Sequence, residues 1–196
     1  RYEAGCDNIR KTGDSTENVT VYSQANKHPY NYIKQTSCIK KAKEIASGKV
    51  NVTAGLINGA AWDRTLNWIL ETNNNMSLAD INENSTSWGN YSNSKFSFTG
   101  KYSTNSGVNF TDATASTEKP ENSSYLLGTG VSDYTKKNNI YDLAGNCYEW
   151  TTESGSSSFQ VSRGGYYDND GFNSPAYSRG YFSADRSHDH LSFRSA

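Results

Sequence analysis

The chain predicts an α+β domain. Three observations carry this: two stretches of helical periodicity in the first half, several short turn-bounded segments in the second, and an aromatic content of 13 %. The mean hydropathy of -0.83 is low enough for disorder. Disordered chains are poor in aromatics, however, and this one carries 14 Tyr and 4 Trp. Its 196 residues fit a single domain spanning 1–196, with 1–35 as an N-terminal extension or first strands. A chain of this size can bury an ordinary core without metals or disulfides.

The elements follow in order. Arg1 to about Gln35 is polar and without period, apart from Val19-Thr20-Val21-Tyr22, which suits a short strand. Ser37 reads as an N-cap before Cys38, Ile39, Ala42, Ile45 and Ala46 at helical spacing, with Gly48 as the stop. A second helix runs from Ala60 to about Glu71, placing Ala61, Trp62, Leu66, Ile69 and Leu70 on one face. Ser77-Leu78-Ala79-Asp80 has the form of a capping box that opens a short third turn, with Asp in place of the usual Glu or Gln. Asn82 to Asn139 is rich in Asn, Ser, Thr and Gly and reads as loop, with Phe96-Ser97-Phe98-Thr99 as its one strand. The alternation Leu191, Phe193, Ser195 suits a closing strand.

Composition excludes several function classes. A formal net charge of -1 gives no electrostatic reason to expect nucleic acid or an anionic membrane as partner. No apolar run approaches the ~20 residues that cross a bilayer, so membrane insertion is not expected. Cys6, Cys38 and Cys147 form no CxxC pair and have no His near them, which argues against zinc. One disulfide or three free thiols fit; the odd count favours free thiols. Sequons such as Asn18-Val19-Thr20 are expected by chance in so Asn-rich a chain. The chain opens on Arg1 without a visible signal peptide and reads as trimmed from a longer product, leaving export open.

Three pieces line up in the last third: Asn139-Ile140-Tyr141-Asp142-Leu143-Ala144-Gly145-Asn146-Cys147-Tyr148-Glu149-Trp150, then Val161-Ser162-Arg163-Gly164-Gly165, then Ser192-Phe193-Arg194-Ser195-Ala196. In this order they resemble the signature of formylglycine-generating-enzyme-like (sulfatase-modifying factor) domains. Gly55 to Trp68 and Ser85 to Asn90 resemble segments of bacterial members, so the resemblance covers roughly Gln35 to Ala196. It implies a C-type lectin-type fold, with two helices beside a small, mostly antiparallel sheet and long loops. The residues have scaffold readings as well. Trp150 suits a core anchor, Gly145, Gly164 and Gly165 suit turns that a Cβ would obstruct, and Arg163 and Arg194 suit charge-assisted bonds to loop carbonyls or Glu149. Trp62, Trp68, Trp88 and Trp150 are expected to carry stability.

The oxidase branch of that family needs a reactive Cys pair between the R-G-G turn and the final strand, and Tyr166 to His190 contains no Cys. The sulfoxide-synthase branch would need a further His-rich iron domain, and the chain has only His28, His188 and His190. His188-Asp189-His190 reads as a chance run for want of a third ligand, so no metal is assigned. No Gly-x-Ser-x-Gly elbow is present, and no catalytic residue is assigned. Some members hold calcium near the G-N-x-x-E segment, where Asn146 and Glu149 would be the donors; otherwise no cofactor is expected. A conventional sugar-binding lectin generally needs an E-P-N- or Q-P-D-type loop, absent here.

A further branch of the lectin-type fold, the variable proteins of diversity-generating retroelements, diversifies this same C-terminal segment by turning AAC codons into NNC codons. Such codons cannot encode Lys, Glu, Gln, Met or Trp. These five types supply 29 of the first 163 residues and none of the 33 from Gly164 to Ala196. At the upstream frequency that gap arises by chance roughly once in several hundred sequences. An ordinary Gly/Ser/Asn-rich loop is the alternative. The resemblance implies a non-enzymatic binding module. Gly164, Gly165, Gly171, Pro175, Arg179, Leu191, Phe193 and Arg194 would be the fixed frame. Tyr166, Tyr167, Asp168, Asn169, Asp170, Phe172, Asn173, Tyr177, Gly180, Tyr181, Phe182, Ser183, Asp185, Arg186, Ser187, His188, Asp189 and His190 would be the presented, ligand-contacting positions. Tyr167, Tyr177, Tyr181 and Phe182 would be the aromatic anchors. The expected partner is a protein or other surface receptor, and the expected setting is a phage virion or bacterial cell surface.

Overall fold

The computed structural model describes residues 1–196. Two short strands, β1 (Gly5–Cys6) and β2 (His28–Pro29), pair antiparallel near the start of the chain. Of Val19 to Tyr22 only Tyr22 pairs, in an isolated bridge to Gly5, so the strand expected there does not form. Helix α1 covers Gln35–Glu44 and begins before Ser37, with Lys34 at the cap position and no side-chain cap bond. Tertiary partners take the cap's place: the Gln35 amide donates to the Ala184 carbonyl (3.1 Å) and its side chain donates to the Thr151 carbonyl (3.0 Å).

Helix α2 covers Gly59–Thr72 and is capped by Asn58, whose side chain accepts from the Ala61 amide. Trp62, Leu66 and Ile69 recur at helical spacing and are buried. Trp68 sits six positions after Trp62, well off that stripe, and is 44 % exposed, which removes it from the core expected of the four tryptophans. Helix α3 covers Leu78–Asn82 and carries the capping box of Ser77 and Asp80 in both directions.

The long segment expected as loop contains a hairpin. Strand β3 (Phe96–Ser103) pairs antiparallel with β4 (Thr111–Lys119) and, on its other side, with β5 (Leu126–Leu127). The β4 residues face solvent almost throughout, so no apolar alternation marks them. A small pair follows, β6 (Lys136–Lys137) with β7 (Ile140–Tyr141).

The central sheet is made by β8 (Tyr148–Ser154), β9 (Gln160–Arg163), β10 (Arg179–Phe182) and β11 (Leu191–Phe193), in the order β10-β9-β8-β11. Strand β11 runs parallel to β8, so the closing strand re-enters at the sheet's side opposite β10. Every β11 residue is buried, because Leu191 and Phe193 join the larger core cluster while Ser192 is covered on the other face. That cluster holds Tyr30, Ile33, Cys38, Ala42 and Trp150. A second cluster holds Trp62, Leu66, Ile69, Trp88, Tyr91 and Leu143. Both α1 and α2 contact β8. Cys6, Cys38 and Cys147 are free and buried.

Arg194 ties the last strand to the signature segment. Its guanidinium donates to both oxygens of Glu149 (2.5 Å each) and to the Tyr141 carbonyl (2.9 Å), all within the core. Arg163 instead meets Asp63 on α2, so only Arg194 makes the bond to Glu149.

Candidate functional site

The tail from Gly164 to His190 is anchored through its backbone. Gly164 and Gly165 take φ of +92° and +74°, and a Cβ at either would meet the Leu143 carbonyl at 2.7 Å or the Ser174 carbonyl at 2.5 Å. From this turn on, main-chain groups find partners in the body of the domain. The Tyr167 amide donates to the Asn146 carbonyl (3.0 Å), and the Asn169 carbonyl accepts from the Ser92 amide (2.8 Å). The Gly171 carbonyl accepts from Ser85 (2.9 Å), the Ala176 carbonyl from the Trp62 indole (3.1 Å), and the Tyr177 amide donates to the Ile81 carbonyl (3.2 Å). Further along, β10 pairs with β9, and the His188 carbonyl accepts from the Tyr32 amide (2.9 Å).

Many side chains on this anchored backbone face solvent. Asp168, Phe172, Asn173, Tyr177, Tyr181, Ser183, Asp185, Arg186 and His188 are exposed; Tyr166, Asn169, Asp170, Gly180, Phe182 and Ser187 are half-buried. Phe172, 67 % exposed, stands between two shallow depressions, one lined by Asn82, Glu83 and Pro175, the other by Asp80, Asn84 and Ser87. Tyr181 is 55 % exposed on the edge strand β10.

Three of the expected presented positions are inside instead: Tyr167, Asp189 and His190 are buried. Tyr167 packs with Leu126 and Cys147, and its hydroxyl donates to Asp189 Oδ2. His190 stacks on Tyr166 with ring centroids 4.3 Å apart. Tyr167 is therefore a frame residue rather than an exposed anchor. It was missed because a loop without period gives no rule for which of two adjacent tyrosines turns inward.

The structure gathers Tyr166, Phe182, Arg186, His188 and His190 into one aromatic and cationic group. The Phe182 ring lies 6.3 Å from His190 and under the Arg186 guanidinium (4.9 Å), and the two imidazoles are 4.1 Å apart. Tyr177 belongs to a separate group with Arg163 and Arg179, whose guanidiniums lie 5.2 and 4.9 Å from its ring. Arg179 in turn donates to Glu153 (2.7 Å) and Asp63 (3.1 Å).

The chemistry of a formylglycine-type oxidase finds no support in the thiols. Burial pushes Cys6 up to about 12 and Cys38 and Cys147 well above the usual thiol range, so none offers a thiolate near neutrality. Asn146 and Glu149 do not fit calcium. Asn146 Oδ1 accepts from Asn90 (3.0 Å) and the Leu127 amide (3.0 Å), and both Glu149 oxygens are held by Arg194.

The family description that matches, Sulfatase-modifying factor enzyme 1-like domain, covers residues 5–196, reaching further toward the N-terminus than the resemblance read from the motifs. The chain belongs to this family, and its α+β architecture is the C-type lectin-type fold. Among solved structures it is similar to variable protein 1 of Treponema denticola, at 14 % identity and a TM-score of 0.50, over 95 % of this chain and 74 % of that one. A search of curated proteins finds no match. No helix is long and apolar enough to cross a membrane.

Proposed function

We propose that this domain is a non-enzymatic binding module whose tail, from Gly164 to the last strand, is a retroelement-diversified display surface. One coincidence carries the reading. The segment that lacks every residue type outside the NNC set is also the segment whose backbone is pinned by the domain while nine of its side chains stand in solvent. Backbone anchoring lets the exposed positions change side chain with little effect on the tail's course, whereas Asn169 and Asp170 also cap backbone amides and Phe182 packs on the core. The likeness in fold to a variable protein supports the same reading.

Asp168, Phe172, Asn173, Tyr177, Tyr181, Ser183, Asp185, Arg186 and His188 form the contact surface, with Tyr166, Asn169, Asp170, Gly180, Phe182 and Ser187 at its margins. Tyr and Phe supply contact area at low entropic cost, and the acids, Arg186 and His188 set polar specificity. The partner is a protein or other receptor on a surface, met by a domain borne on a phage virion or bacterial cell. Catalysis has no place in this account.

Sequencing the DNA around the gene tests it. A nearby repeat almost identical to the tail-coding DNA is expected, differing at adenines and carrying AAC where the exposed residues fall, beside a reverse transcriptase. A repeat whose differences fall equally on Gly164, Leu191 and Phe193, or the lack of any repeat, would contradict it.

A further inference from the structure

The sequence offered His188 and His190 as two metal donors without a third. The fold supplies the third from between them. The donor atoms of His188, Asp189 and His190 all lie within 4.8 Å of one another. His190 Nδ1 is 3.2 Å from Asp189 Oδ1, and His188 Nδ1 closes on the same oxygen from the other side. Asp189 is 5 % exposed, yet its Oδ1 has no hydrogen-bond partner, while Oδ2 accepts from Tyr167. A buried carboxylate oxygen faced by two imidazole nitrogens needs a positive charge between them, either a proton on an imidazole or a bound cation.

We propose that His188, Asp189 and His190 form a binding site for one divalent cation of the zinc class. Two imidazole nitrogens and one carboxylate oxygen are a donor set for borderline metals such as Zn2+ or Co2+. Metal–donor bonds of about 2.0–2.2 Å in a tetrahedral shell put neighbouring donors about 3.3 Å apart, which the His190–Asp189 pair already meets. The His188 ring, 47 % exposed, must turn outward from Asp189 to match, and a fourth position then faces solvent or a partner's donor group.

The supports around the trio are those a metal site needs. Each of its three carbonyls is held: His188 by the Tyr32 amide (2.9 Å), Asp189 by the Asn31 side chain (2.7 Å), His190 by the Tyr148 amide (2.8 Å). Tyr167 fixes the carboxylate, and Tyr166 fixes the His190 ring by stacking. Arg186 is the nearby cation that opposes binding, and it reaches out over Phe182. The site stands on these contacts whether or not the tail is diversified.

Untagged protein, stripped with chelator, is titrated with Zn2+ against a chromogenic chelator and with Co2+ by visible absorption. We expect one equivalent to bind, with the d–d bands of a four-coordinate ion. His188→Ala, at an exposed position that the core does not need, should weaken binding by about 10- to 100-fold. Asp189→Asn should do the same, with circular dichroism reporting whether it folds. Tyr181→Ala, outside the trio, should leave binding unchanged. Absence of stoichiometric binding, or equal binding by the parent and His188→Ala, would overturn the proposal.

Discussion

At the scale of single residues, the buried ionic groups decide most. Glu149 and Arg194 form a fully buried pair that also holds the Tyr141 carbonyl. Removing one partner strands the other's charge, so Glu149→Gln should cost about 3–5 kcal/mol in urea unfolding. Glu3 lies in the same region; burial first, and then the charges of Glu149 and Asp142, push its carboxyl from the usual 4.5 up to about 8. An acid raised in this way contributes stability that is complete below 4.5 and lost as pH rises through about 8. Urea midpoints of the parent should therefore fall from pH 5 to 8.5 relative to Glu3→Gln, which keeps the bond to Asn146 without a charge to bury. Parallel curves for the two proteins would place the ionised form in the core. Gly165→Ala faces both a left-handed φ and the Ser174 carbonyl and should cost about 2 kcal/mol or more, whereas Gly13→Ala, at φ +93° with nothing within 4 Å, should cost about 1.

At the scale of elements, local chemistry was legible where it acted alone. The capping box at Ser77 and Asp80 and the stripe Trp62, Leu66, Ile69 could be read directly, because each depends on spacing within one helix. The start of α1 could not, since Gln35 is held by Thr151 and Ala184, which are distant in sequence. Strand β4 was hidden for a related reason: its exposed Thr, Ala and Ser carry no apolar alternation, and only pairing with β3 defines it. In the tail, composition singled out a segment but not its inward-facing side chains, which depend on Asn146, Leu126 and Cys147. The two kinds of tail position should separate in unfolding experiments. Tyr181→Ala and Phe172→Ser should stay within about 0.5 kcal/mol of the parent, while Tyr167→Ala should cost about 3 kcal/mol. Equal costs at all three would erase the distinction between frame and display.

At the scale of the whole molecule, the two helices, strands β8, β9 and β11 and the Arg194–Glu149 pair form a frame to which the tail's backbone is tied. The proposed display depends on this separation of tail side chains from stability, since new side chains must arrive without unfolding the domain. Asp185 meets Lys34 in a surface pair of about 0–1 kcal/mol. The most direct test replaces Asp168, Phe172, Asn173, Tyr177, Tyr181, Ser183, Asp185 and Arg186 together by other residues of the NNC set and measures urea unfolding of several such variants. Each should unfold in one cooperative transition within about 2 kcal/mol of the parent. Loss of the transition, or costs of several kcal/mol shared by most variants, would show that these side chains belong to the fold and are not a display carried by it.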